Sequence, residues 1–509
     1  MSRTDSPLLH LHPNDNVLVA KTALSLGQEI PELGVRARAQ VPAGHKIAAR
    51  RIAEGEQVKK YDTVIGVAMR ELEAGDYVHS HNLRIVDYYR DPAFGADVRP
   101  VDYVPEAQRA SFQGFVRAGG GVGTRNFIGI LSSVNCSATV IKRIAAHFTA
   151  ERMAAFPNVD GVVAFAQTSG CGMSSPSEHF DVLRRTLAGY ARHPNLAGVL
   201  IVGLGCERNQ VDALVESQGL SEGRLMRTLV MQEVGGTRVT IEAGIRAIEE
   251  MLPEADAARR STVSASHLKI GLECGGSDGF SGITANPALG AAMDILVRHG
   301  GTAILSETPE IYGAEHLLTH RAATPAVADK LLKRLSWWED YAALHGGDLN
   351  NNPSPGNKAG GITTILEKSL GAVAKAGSSG LMEVLEYAEP VRAHGLVFMD
   401  TPGYDPVSAT GQVAGGANLI CFTTGRGSTY GCKPTPSLKL ATNTPMFERM
   451  RLDMDFDCGG IVEGRETIEE AGAALLQLMI ATASGQASKS EENGLGDNEF
   501  LPWQLGAVM

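Results

Sequence analysis

A chain of 509 residues with 43% hydrophobic and 20% charged residues carries enough apolar material for more than one large core, which excludes a disordered or low-complexity polymer. Its net charge of −11 repels a phosphate backbone and no basic stripe overrides it, so nucleic acid is an unsuitable partner. No apolar run approaches the roughly 20 residues of a membrane helix, the N-terminus lacks a secretion signal, and the seven cysteines suit free thiols in a reducing cytoplasm.

Residues 13–90 hold short apolar runs broken by glycine, with strands expected at 58–68 and 77–79, and make up a small β-rich domain. The segment 91–115, with Pro92, Pro100 and Pro105, is expected to be a linker. From 116 the pattern becomes strand, glycine-rich turn, helix. Strands at 126–132, 159–166 and 196–203 lead to Cys136, Cys171 and Cys206, which recur at 35-residue intervals, and helices follow at 180–191 and 210–217. That alternation predicts βα units on a largely parallel sheet over 116–262.

A second α/β region spans 263–485, with strands at 269–273, 302–305, 396–399, 419–423 and 438–441 and helices at 287–299 and 325–343. The cluster NNNPSPGNKAGG at 350–361 is expected to be a functional loop or hinge. The tail 486–509 is polar and expected to be loosely ordered, except where Phe500 and Trp503 could dock. The fold class is α/β behind a β-rich N-terminal domain.

Ligands of parallel sheets bind beyond the carboxyl ends of the strands, where Cys136, Cys171, Cys206 and Cys274 all fall. Thiolates there can hold iron, another divalent ion, or an iron–sulfur cluster with one iron open; otherwise they are small buried apolar residues. His79 and His81, in VHSHN, share one face if they lie on a strand, and with His45 they can bind metal or move protons. Lys46 beside His45 can hold a carboxylate. Ser277, Asp278 and Asn286 offer hydroxyl, carboxylate and amide groups, while Asn357, Lys358 and Arg426 lie in glycine-rich loops suited to an acidic substrate. GGGVGTR and GLGCER miss the third glycine of a dinucleotide fingerprint, which disfavours an oxidoreductase.

The strings GHK, VHSHN, GVGTRN, SGCG, GLGCE, ECGGSDGFSGITANP, NPSPGNKAGGI and FTTGRG resemble the altronate/galactarate dehydratase family of sugar-acid hydro-lyases, over nearly the whole chain. VHSHN and GLECGGSDG are similar to its altronate branch. The resemblance implies a SAF-type N-terminal domain, dependence on iron or a similar divalent metal, and dehydration of a sugar acid to a 2-keto-3-deoxy acid by a cytoplasmic enzyme, with a homodimer expected. Galactarate dehydratase and sulfolactate sulfo-lyase chemistry, the latter dividing the two regions between subunits, stay open as alternatives, as does a noncatalytic carbohydrate-binding protein. On this reading the cysteines hold the metal, His45, His79 or His81 serve as acid and base unless their domain is only a lid, and Lys358 and Arg426 clamp the carboxylate.

Overall fold

The computed structural model describes residues 6–86 and 93–506. The N-terminal domain is all β. Strands Leu8–Leu9, Val17–Ala20, Lys46–Ala48 and Tyr77–Val78 form one antiparallel sheet, and Gln57–Lys60, Thr63–Ala68 and Leu83–Arg84 form another. The expected strand at 58–68 is thus a hairpin. Tyr61 and Asp62 turn the chain in the left-handed region at φ 59° and 58°, and the Asp15 carboxylate accepts both of their amide N–H groups at 3.0 and 2.8 Å. A distant carboxylate thereby holds a turn that contains no glycine, which no local pattern signals. The later strand Tyr77–Val78 stops before His79, so His79 and His81 stand in a turn instead of on one strand face.

Residues 91 and 92 of the expected linker lie outside the described residues. Residues 93–110 run along the C-terminal domain, with Asp97 N donating to the His320 carbonyl at 2.8 Å and Val104 N to that of Arg298 at 2.8 Å. Residues 111–115, also expected to be linker, are strand: Ser111–Val116 pairs antiparallel with Arg260–Ser264 and with Val122–Gly123.

The second domain carries a parallel sheet in the order Gly161–Phe165, Phe127–Ser132, Leu196–Gly203, Met226–Val230. The central strands are almost wholly buried, as strands covered on both faces must be. Helices Asn135–Ala145, Glu178–Ala191 and Thr237–Ala257 supply that cover.

The third domain is a seven-stranded parallel sheet in the order Leu381–Leu385, Gly395–Met399, Thr302–Leu305, Lys269–Cys274, Leu419–Thr424, Ser437–Ala441, Phe456–Asp457. Helices Ala285–Arg298 and Ile468–Ala483 pack tightly because small residues face each other, Gly472 against Ala288 and Ala291. Within 350–361 the expected loop contains the helix Pro355–Ala359, closed by a capping box between Ser354 and Asn357. The segment after Ser484 is built into the body instead of being loose. Lys489–Glu492 is helical, Arg125 pairs with Glu491 at 2.6 Å, and Phe500 and Trp503 are buried, as their aromatic character suggested.

Candidate active site

The N-terminal domain seats on the carboxyl edge of the seven-stranded sheet. Its AGHK loop fits there because two glycines of the large domain leave room: a Cβ on Gly279 would stand 2.0 Å from the Gly44 carbonyl oxygen, and Gly361, at φ +107°, would bring one to 2.7 Å. Between the two domains opens a cavity of about 670 Å³, of ligand-binding size, walled by His45, Lys21, Asp278, Arg426, Asn443 and Arg449.

His45 is 3% exposed and is fixed at both ring nitrogens. Nε2 lies 3.2 Å from the Ala359 carbonyl, which can only accept, so Nε2 carries the proton and the lone pair falls on Nδ1, 2.7 Å from the Tyr77 hydroxyl. The ring of His79 stacks on Tyr77 and stands 5.1 Å from that of His45, and His81 packs on Tyr77 at 5.4 Å. Burial, reinforced by Lys46, lowers the His79 pKa to about 4 and holds His45 below its ordinary value, so both rings are neutral at physiological pH.

Lys46 is wholly buried and spends its three N–H bonds on the Gly361 carbonyl at 2.7 Å and on both oxygens of Glu367 at 2.9 Å. Lys60 reaches the same carboxylate at 3.0 Å. Burial alone would raise the Glu367 carboxyl, but the two ammonium groups and Thr363 hold it well below the carboxylate range. Lys46 is therefore an interdomain tie, with no N–H left for a substrate.

Asp278 is buried and accepts from Thr442, Asn443, Ser281 and the Phe280 amide, which shapes the loop at the cavity floor. Asn286 joins Gly371 to Thr423, and Asn357 donates to the Ser277 carbonyl at 2.9 Å; both brace the site without facing the cavity. Lys358 does not line the cavity, whereas Arg426 does and is exposed. The Ser277 hydroxyl is buried without a partner and opens onto a second, water-sized cleft of about 10 Å³, shared with Cys274, Lys60, Glu367 and Lys368.

Cys274 ends its strand in a buried cluster. Its Sγ lies 3.4 Å from Glu310 and 3.7 Å from Glu307, while Lys368 holds Glu310 at 2.7 Å and Lys375 holds Glu307 at 2.8 Å. Ligand atoms of Cys274, Glu307 and Glu310 all come within 4.8 Å of one another, and among the described residues no other group of three or more such side chains does so. One oxygen of Glu307, in a residue with no exposed surface, has no hydrogen-bond partner. A thiol, two carboxylates and an orphaned buried oxygen fit a borderline divalent ion such as ferrous iron.

Cys136, Cys171 and Cys206 do not join Cys274. They are exposed and belong to the other sheet, where the loops after three adjacent strands are laced together: Asn135 N donates to Ser169 at 2.9 Å, Asn209 N to Gly170 at 3.0 Å and the Asn209 amide to Ser133 at 3.1 Å. All seven cysteines are free.

Sequence reasoning missed Tyr77, Glu307, Glu310, Glu367, Lys368 and Lys375. A signal existed for two of them: helix Ile365–Val373 is buried at every position, yet its apolar text carries Glu367 and Lys368, and charges in a fully buried helix need partners.

Neutral imidazoles stand near Lys21, Arg426 and Arg449, with a metal-compatible cluster behind the floor, an arrangement able to hold an acidic substrate and to move protons beside it. Three family models match the chain: the altronate/galactarate dehydratase SAF domain over residues 6–86, the D-galactarate dehydratase/altronate hydrolase second domain over 114–256, and the D-galactarate/altronate dehydratase C-terminal domain over 265–508. The chain is 37% identical to altronate dehydratase of Escherichia coli (strain K12) over 495 residues, 95% of this chain and 97% of the relative. It is 35% identical to galactarate dehydratase (L-threo-forming) of the same organism over 94% of this chain and 93% of the relative. It is also 30% identical to the beta subunit of (2R)-sulfolactate sulfo-lyase from Chromohalobacter salexigens, over 79% of this chain and 99% of the relative. The chain belongs to the D-galactarate/altronate dehydratase family and is a sugar-acid hydro-lyase, a carbon–oxygen lyase. No helix among the described residues is long and apolar enough to cross a membrane.

Proposed function

We propose that the chain dehydrates an altronate-like hexonate to a 2-keto-3-deoxy acid in a reducing, cytoplasmic setting. The observation that carries this reading is the interdomain cavity, in which buried, neutral His45 faces Arg426 with Lys21 and Arg449 nearby. Arg426, aided by Lys21 and Arg449, holds the carboxylate. His45 and Tyr77 act as the acid/base pair, accepting the C2 proton and supplying one to the oxygen leaving C3, with His79 next to them to pass protons on. Cys274, Glu307 and Glu310 would hold the divalent ion that the family resemblance implies, and such an ion supplies Lewis-acid polarisation of the substrate's oxygens.

A second arrangement, an iron–sulfur cluster on Cys136, Cys171 and Cys206, is favoured by the lacing of their three loops at one sheet edge. The test is an assay of anaerobically prepared protein with altronate, galactarate and sulfolactate, read by semicarbazide detection of the keto acid, together with iron and labile-sulfide analysis. Altronate is expected to give product, and Cys274→Ser to lose iron. Product from none of the three acids would overturn the reading, and labile sulfide lost on replacing Cys136, Cys171 and Cys206 by serine would move the metal to the second domain.

A further inference from the structure

A second cleft, of about 530 Å³, opens at the seam between the second and third domains, at the amino ends of their strands. It is lined by Arg185 and Arg192 from one side and by Lys269, Arg392, His267 and His394 from the other, and no aspartate or glutamate lines it. None of the four permanent cations forms an ion pair with a carboxylate among the described residues. Arg185 uses one N–H on the Tyr387 carbonyl at 2.6 Å and the Lys269 ammonium donates to the Val391 carbonyl at 2.5 Å, while Arg192 and Arg392 are exposed and line the cleft.

In a chain of net charge −11, four unpaired cations gathered on one concavity repel one another and gain nothing from solvent that a flat surface would not offer. The position of Arg192 just past the end of helix Glu178–Ala191 suits the helix dipole, which accounts for one of the four and leaves the other three. Burial lowers the pKa of Lys269, and burial with the neighbouring His394 and Lys269 lowers that of His267; no carboxylate offsets either. The cleft is also remote from the first cavity: Lys269 begins the strand that Cys274 ends, a separation of about 16 Å along a strand of six residues.

We propose that this seam binds a small dianion, a dicarboxylate or a phosphate ester, with Arg192 and Arg392 gripping one anionic group from opposite domains and Lys269 and Arg185 receiving the other. Planar guanidinium forks match both carboxylate and phosphate, so the two sources share one recognition chemistry. A ligand there would bridge the two domains.

Titration calorimetry with inorganic phosphate and, separately, succinate tests this on the full-length Arg426→Ala protein, in which the first cavity has lost the main cation of its anion clamp. At least one of the two is expected to bind saturably, and its Kd is expected to rise about 10-fold or more when Arg192→Ala and Arg392→Ala are added; both side chains are exposed, and circular dichroism confirms that the fold is kept. Preference for phosphate assigns the site to phosphate esters, and preference for succinate to dicarboxylates. Absence of saturable heat from both at millimolar concentration, or unchanged affinity in the triple variant, would overturn the proposal. Neither result bears on the dehydratase reading, which the keto-acid assay decides.

Discussion

The chemistry proposed for His45 depends on a ring kept uncharged by its surroundings. Burial is the leading cause at His45 and at His79, and it favours the neutral form, so each ring stays a base at pH values where a solvated histidine would already be protonated. The acid limb of kcat/KM against pH is therefore expected to bend below 6.5, and His45→Asn to lower kcat by about 10²-fold or more with a smaller effect on KM; a limb centred at or above 6.5 would contradict the assignment. Glu367 behaves differently, since its work is to neutralise Lys46 and Lys60. Glu367→Gln would strand two buried ammonium groups, and a loss of about 3–5 kcal/mol is expected in urea denaturation. A loss under 1 kcal/mol would mean that water reaches the pair. The histidines, Cys274 and Arg426 were legible from the sequence because these residue types carry chemistry wherever they occur. Glu307, Glu310 and Lys375 were not, because carboxylates and ammonium groups are ordinarily surface residues and only the fold shows these three to be buried.

At the scale of elements, the strand-turn-helix alternation located both parallel sheets, since apolar runs ending in glycine-rich turns have few other solutions in a chain of this composition. The misreadings share a physical origin in contacts distant in sequence. The 57–68 hairpin turns on Asp15, the strand at 111–116 is paired along most of its length with distant Arg260–Ser264, and the tail is ordered by Arg125 and by the aromatic packing of Trp503 on Trp338. The seating of the AGHK loop is the most delicate junction between elements. A methyl group on Gly279 must push the Gly44 carbonyl away, so Gly279→Ala is expected to raise KM and to cost about 1–3 kcal/mol in thermal unfolding. If KM and stability both matched the parent protein, the loop would not be held against Gly279.

At the scale of the whole molecule, three domains are arranged so that the smallest closes over the largest while the middle one presents its thiol edge elsewhere. The small domain is joined to the body through Lys46, Lys60 and the Thr364 hydroxyl, which donates to the Ile65 carbonyl at 2.7 Å, as well as through the backbone. A relative named as one subunit of a lyase covers 79% of this chain, which accords with such a division. Residues 1–90 and 91–509 produced as two polypeptides are expected to co-purify and to regain turnover, checked by size-exclusion chromatography and the keto-acid assay. Failure to associate would show that the backbone supplies what the ionic joint does not.

That joint has an evolutionary meaning as well. With Lys46 and Lys60 inserted into one carboxylate of the neighbouring domain, the two partners carry a complementary plug and socket, so a gene could be cut or fused at this boundary without redesigning either surface. Covalent continuity here acts chiefly to keep the plug at high local concentration.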